Sequence, residues 1–222
     1  FNKFLLKRPA VICKSGISLD GKISLSNGVS KWITSEESRQ DVQMERSITS
    51  LIFTSSKTVI LDNPSLNVRD PLLLKKILKQ PDLAIVDTRL KIPMKSKIFN
   101  NSSRKIYLFT SIKNTAKKYK KNVIIVYMET IDKKINISKC MKYLAKQDIN
   151  YIFIEAGPTL IKSFLKKSLI DEMILYISPK IIGSTGRTFS GVTHIKNLSK
   201  KIKFRISDMI PIGNNIKVRL EK

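Results

Sequence analysis

The stretch "YIFIEAGPTLIKSFL", residues 151–165, changes pattern halfway along. Tyr151–Ile154 is almost wholly apolar, as in a strand covered on both faces. Glu155 ends the run, Ala156 and Gly157 make a tight turn, and Pro158 stands at a first helical position. Proline there costs no hydrogen bond, because that N–H has no partner inside the helix. A buried strand feeding directly into a helix is the repeating unit of an α/β sheet. The same joint leaves backbone N–H groups at the positive end of a helix, with only small residues beside them, which suits a phosphate. On these residues alone, a ligand-binding turn and a plain joint with a solvated glutamate are even alternatives. No GxGxxG fingerprint and no Walker loop occurs in the chain.

The strand–helix alternation extends outward in both directions. Strands are expected at Ala10–Ile17, Leu51–Thr54, Leu83–Val86, Ile106–Thr110, Val123–Tyr127, Tyr151–Glu155, Glu172–Ser178, Ile202–Ser207 and Ile216–Leu220. "VIIVY" (123–127) reads, like "YIFI", as covered on both faces. Helices are expected over 34–49, 72–79, 138–147 and 158–168. In the first, Thr34 is the expected N-cap with Glu37 completing a capping box. Met44, Ile48 and Leu51 fall at i, i+4, i+7 and are expected to face a core; Arg39, Gln43 and Arg46 share a neighbouring face. The class is therefore α/β with a central, mostly parallel sheet and flanking helices. No good helix separates the last three strands, so an antiparallel edge is expected there.

The chain has 222 residues, enough for one large domain or two small ones, and its 42% apolar content supports a sizeable core. Forty-two basic residues oppose 17 acidic ones, a net charge of +25. That excess would attract a polyanion or nucleic acid. The lysines are spread over nearly every segment, however, with no basic helix, basic tail or basic-aromatic ladder, so a solvated lysine-rich surface is favoured. Cys13, Cys140 and His194 have no partners at metal-ligand spacing, so no zinc site is expected. Two lone cysteines suit a reducing, cytoplasmic compartment without disulfides. No apolar run approaches the roughly 20 residues of a membrane helix. The basic start "FNKFLLKRPA" has too short an apolar part for a secretory signal and lacks an initiator Met, so a trimmed chain or part of a precursor is expected.

Three further stretches carry polar groups that pattern alone leaves ambiguous. "TSSKTVILDNPSLNVR" (54–69) offers hydroxyls and an Asp for ribose or amide recognition and Arg69 for a phosphate, but reads first as a surface loop. "GVSKWITS" (28–35) holds the only tryptophan, Trp32, a stacking surface or, more often, a core plug. "AVICKSGISLDG" (10–21) is a core strand interrupted by Lys14, which by itself reads as a snorkelling edge lysine.

Six blocks in register bring these pieces together: "SLDGKI" (18–23), "SKWITS" (30–35), "RQDVQMERS" (39–47), "TVILDNPSLNVR" (58–69), "IEAGPTL" (154–160) and "YISPKIIG" (176–183). Over nearly all of residues 8–222 the chain resembles the reductase domain of the bifunctional riboflavin-biosynthesis deaminase/reductase. The resemblance implies a dihydrofolate-reductase-like fold, a homodimer, and NADPH-dependent reduction of the ribosyl group of 5-amino-6-(5-phosphoribosylamino)uracil to a ribityl chain. It implies cofactor contacts at Gly16, Trp32, Thr58, Asp62 and Thr88, and along the turn Gly157, Pro158, Thr159, Leu160, Ile161, Lys162 and Ser163. It implies substrate contacts at Ser30, Arg46, Leu66, Arg69 and Glu155, with Lys14 beside the reacting sugar carbon. Lys14 and Glu155 are the implied catalytic pair, Lys14 as proton donor. The resemblance implies that Ala is usual near positions 16 and 17, where this chain has Gly16 and Ile17. The deaminase half needs a His-x-Glu and a cysteine pair for zinc, and neither is present. Residues 1–8 are then expected to be a linker remnant and 9–222 a single reductase domain, with deamination done by another protein or a removed domain. Two alternatives are the same reduction on the diamino-pyrimidine before deamination, and a polyanion-binding module.

Overall fold

The computed structural model describes residues 7–192, 197 and 201–222; His194 and most of the expected linker lie outside them. In chain order the strands are β1 Ala10–Ser18, β2 Lys22–Ser24, β3 Leu51–Ser55, β4 Asp82–Val86, β5 Ile106–Thr110, β6 Val123–Tyr127, β7 Thr130–Ile131, β8 Lys134–Ile135, β9 Tyr151–Glu155, β10 Glu172–Ser178, β11 Arg187–Thr188, β12 Arg205–Ile212 and β13 Asn215–Glu221. The helices are α1 Glu36–Ser47, α2 Ser56–Asp62, α3 Pro71–Leu74, α4 Ile137–Ala145 and α5 Pro158–Lys166. The chain divides into two compact units, one built on Gln43–Ala156 and one on Val11–Val42 with Gly157–Lys222.

The first unit is a parallel sheet in the order β9-β3-β4-β5-β6. β5 is buried at every position, and β3 and β4 at all but the last, so runs such as "IYLFT" need no alternation. Ile52, Val59, Leu83, Ile85, Ile92, Ile98, Phe99, Ile106 and Leu108 form the core on one side. Each such side chain contributes about 1.5–3 kcal/mol on burial. β6 is the edge, with Ile125 and Tyr127 exposed, so "VIIVY" is not covered on both faces. α2 is a helix where the sequence reads as loop. Ser55 caps it, accepting from the Thr58 N–H at 3.5 Å, and Asn63 closes it in the left-handed region at φ 41°. α3 is a single turn, shorter than the helix expected over 72–79, capped by Asp70 at the Leu72 and Leu73 amides, 2.8 and 3.0 Å away.

In the second unit β1 pairs parallel with β10, β13 antiparallel with β10, and β12 antiparallel with β13, so the antiparallel edge is observed. β12 begins and ends later than the expected 202–207, and its register breaks between Ile206 and Asp208. β1 alternates: Val11, Cys13, Ser15 and Ile17 are buried, while Ile12, Lys14 and Gly16 share the half-buried face. α1 is capped by Ser35, which accepts from the Ser38 N–H at 3.4 Å, and not by Thr34. Met44 and Ile48 are 47% and 67% exposed; the buried stripe is Ser38, Val42, Glu45 and Arg46. The expected apolar face loses because polar side chains of α1 have specific buried partners. Within the second unit, Asp41 accepts from the Tyr176 hydroxyl at 2.5 Å and from Lys217 Nζ at 2.6 Å. Among the described residues no helix is long and apolar enough to cross a membrane.

Asp20 fastens two of the sequence blocks within this unit. Its carboxylate accepts from Ser18 Oγ at 2.5 Å and from the amides of Ile182 and Gly183 at 3.1 and 2.7 Å. The Ser18 hydroxyl, then the Ile182 amide, hold its pKa at about 2, below the ordinary 3.8. A depressed folded pKa means stability that is complete above pH 3.8 and lost as pH falls through about 2. Asp20→Asn is therefore expected to melt earlier than the parent at neutral pH. Melting curves of the two chains should converge between pH 3.8 and about 2. A gap independent of pH would show that Asp20 does not act through its charge.

Candidate active site

The carboxyl end of β9 carries Glu155, and the last turn of α1 carries Arg46. Their side chains form a bidentate pair, Nε to Oε1 at 2.6 Å and Nη2 to Oε2 at 3.1 Å, with 9% and 8% of each side chain exposed. Planar, two-point pairing is what the guanidinium fork provides and a lysine does not. The remaining Nη1 donates to the Asn67 carbonyl at 3.0 Å. Glu155 is therefore not a solvated glutamate, and Arg46 already has three protein bonds.

Those bonds continue into the segment Ser65–Arg69, where every residue has a backbone group held by a side chain. The Ser65 carbonyl accepts from Arg104 Nη2 at 2.7 Å, and the Leu66 carbonyl from Arg104 Nη1. Gln80 brackets Val68, accepting from its N–H at 2.8 Å and donating to its carbonyl at 3.0 Å. Gln43 accepts from the Arg69 N–H at 2.8 Å. Leu66 is buried at φ 45°, a conformation a side chain rarely adopts unless its surroundings impose it. The segment presents Arg69, whose guanidinium has no hydrogen-bond or ion-pair partner among the described residues. Partial burial, then the neighbouring Arg46, lower the Arg69 pKa, and Glu155 opposes them. Of the two arginines expected to meet a phosphate, Arg69 has the donors to spare.

β9, β3 and β4 are parallel neighbours, so Glu155, Thr58 and Thr88 follow carboxyl ends on one edge of this sheet. Edges of this kind are where open α/β sheets bind ligands. Thr58 stands in the first turn of α2, and Asp62 ends that helix, exposed. The Thr88 carbonyl accepts from the Ser111 N–H, Ser111 Oγ and Thr110 Oγ1 at 3.1, 2.9 and 3.1 Å, fixing the loop after β4.

The second unit holds the other expected residues. Lys14 and Gly16 lie on the same face of β1. A Cβ at Gly16 would stand 2.9 Å from Thr34 Cγ2, so glycine here matches a close approach of the loop bearing Thr34. Burial pushes the Cys13 thiol up to about 12, against the pull of the Lys14 charge, so it is no nucleophile. Trp32 is 64% exposed, which overturns the core-plug reading; the Arg39 guanidinium stacks 4.3 Å from its ring centroid. Lys180 Nζ donates to the Trp32 carbonyl at 2.9 Å, and Ser30 is half-buried nearby in sequence. Gly157 caps α5 in extended conformation, with open space where a Cβ would be. The side chains of Leu160 and Ile161 are buried, and their amides donate to the Gly157 carbonyl at 3.2 and 3.3 Å. Thr159 is exposed, while Pro158, Lys162 and Ser163 are half-buried, with Ser163 Oγ donating to the Thr159 carbonyl at 3.0 Å.

Residue reasoning missed Arg104, Gln80 and Asn67. They act on backbone groups, and such roles leave no spacing signal.

Comparison with known proteins adds an independent line. The model of the RibD C-terminal domain matches residues 9–218. The chain is 34% identical over 232 aligned residues to the riboflavin biosynthesis protein RibD of Buchnera aphidicola subsp. Baizongia pistaciae, covering 100% of this chain and 62% of that protein. It is 36% identical over 204 residues to the 5-amino-6-(5-phosphoribosylamino)uracil reductase of Buchnera aphidicola subsp. Acyrthosiphon pisum, covering 88% of this chain and 98% of that one. The solved structure of Acinetobacter baumannii RibD superposes with a TM-score of 0.84 at 29% identity, over 99% of this chain and 59% of that one. The chain thus spans about three fifths of the RibD proteins it matches. The expected fold class, with its mostly parallel strand pairing and antiparallel edge, is the observed one.

Proposed function

Because the chain belongs to the RibD C-terminal domain family, we propose that it is the NADPH-dependent reductase of 5-amino-6-(5-phosphoribosylamino)uracil and acts as one reductase domain over residues 9–222. The observation that carries this reading is the Ser65–Arg69 segment, locked by the Arg46–Glu155 pair and offering Arg69 to an anion. A substrate with a sugar phosphate gives that cation an object.

The net change breaks the C1′–O4′ bond, adds hydride to C1′ and gives O4′ a proton. NADPH, when bound, supplies the hydride. The chain offers features that suit such a dinucleotide: the exposed Trp32 ring, the hydroxyls of Thr58 and Thr88, and the unobstructed Gly157 turn. Arg69 binds the sugar phosphate. Glu155 fixes Arg46 and with it the Asn67 carbonyl, so that Leu66 and Arg69 are oriented before substrate arrives. Lys14 donates the proton to O4′. Ser30 contacts substrate, and the Gly157–Ser163 turn, through the Gly157 and Thr159 amides and the Thr159 hydroxyl, contacts the dinucleotide together with Gly16 and Asp62.

Deamination is assigned to a different protein or domain, so the uracil form is the preferred substrate over its diamino precursor. The relative named a reductase, matched over 98% of its length, supports the reductase reading. A homodimer is proposed through β12, whose Ile206, Met209 and Ile210 are all exposed on an edge strand. Buried free thiols at Cys13 and Cys140 suit a cytoplasmic setting.

The purified chain is expected to consume NADPH only when the phosphoribosylamino-uracil is added, and more slowly with the diamino form. A folded chain that consumes none with fresh substrate would contradict the reading.

A further inference from the structure

Arg104 belongs to none of the six sequence blocks, yet it is among the largest fully buried side chains, with 2% exposed. It stands two residues before β5. Its guanidinium reaches back to the carbonyls of Ser65 and Leu66, two successive peptides, which only a planar fork can span. Its own carbonyl accepts from Asn122 Nδ2 at 2.8 Å, so the residue is braced from the far side. It forms no salt bridge among the described residues, and Nε, also buried, meets no acceptor. Burial, then Arg46, push its pKa down to about 10, against Asp82. A buried cation whose bonds all go to neutral carbonyls is costly, and here it is spent on one segment. That segment contains Leu66 in the left-handed region. Strained backbone of this kind persists where neighbours over-determine it.

We propose that Arg104 is a positioning residue for the reduction, holding Ser65 and Leu66 so that Leu66 and Arg69 meet the phosphorylated sugar in a fixed geometry. The proposal rests on the reductase reading. The later peptides have other holds, Arg46 on Asn67, Gln80 on Val68 and Gln43 on Arg69. Loss of Arg104 therefore frees the start of the segment first, and β5 keeps its register with β4 and β6.

The test uses the full chain with Arg104→Lys and Arg104→Met. The KM for the pyrimidine should rise at least tenfold in the methionine variant and by less in the lysine variant, whose ammonium reaches one carbonyl at a time. Turnover and the KM for NADPH should stay within twofold. Amide hydrogen exchange should quicken at least tenfold at 66 and 67 and stay unchanged across 106–110. An unchanged pyrimidine KM would overturn the proposal. So would a joint loss of kcat and both KM values with faster exchange in β5, since that is general loosening. If the methionine variant does not fold, the lysine variant decides by the same readouts. If the unsubstituted chain has no activity, the reductase reading falls; the exchange comparison still separates a local hold from general packing.

Discussion

Lys14→Ala is expected to lower kcat by about 10²–10⁴-fold, the usual worth of one positioned proton donor, with both KM values within a few fold. Lys14 sits mid-strand on β1, on the half-buried face it shares with Ile12 and Gly16. The opposite face is closed by Val11, Cys13 and Ile17. A lysine at such a position has its backbone fixed by β10, through the register Lys14↔Ile174. A fixed backbone holds the ammonium within a small reach, which is the arrangement a proton donor needs. Lys14→Arg separates charge from proton transfer, because guanidinium does not release its proton in a protein. If arginine restores turnover, the residue acts through charge alone. Unchanged turnover in the alanine variant would remove Lys14 from the chemistry.

Arg46→Met should be strongly destabilising, costing about 3–5 kcal/mol, because it takes the bidentate partner from a buried carboxylate. Glu155 keeps 8% of its side chain exposed, too little for water to replace the two lost bonds. The same change releases the Asn67 carbonyl, so the pyrimidine KM should rise as well. Glu155→Gln alone should cost less, and the double variant should be more stable than Arg46→Met. Denaturant unfolding of the three chains measures this as a coupling between the sites. Additive losses would show that the pair is not a unit.

The parallel strands were readable because burial on both faces demands uninterrupted apolar runs, and "LIFT", "IYLF" and "YIFI" are such runs. β12 was placed too early because both of its faces are exposed, so no core enforces an alternation that sequence can display. α2 was hidden because Ser55 and Ser56 resemble turn chemistry, whereas Ser55 is a cap that starts a helix. Met44 and Ile48 followed helical spacing onto the wrong face, since Arg46 and Glu45 take the buried one. At the candidate site, Glu155 and Gly157 stood out by chemistry, while Arg69 read first as part of a surface loop. Lys14, Thr58 and Thr88 needed the resemblance, because each by itself has an ordinary alternative. Arg104 was invisible to both routes, since it reads as one more basic residue among 42 and acts on carbonyls that every residue carries.

The central claim is hydride transfer to the sugar carbon, and isotope transfer tests it most directly. NADPH carrying deuterium at the nicotinamide C4 is incubated with the purified chain and 5-amino-6-(5-phosphoribosylamino)uracil. One deuterium should be found on C1′ of a ribitylamino product. A product with no deuterium at C1′, or unchanged substrate beside folded protein, would contradict the account.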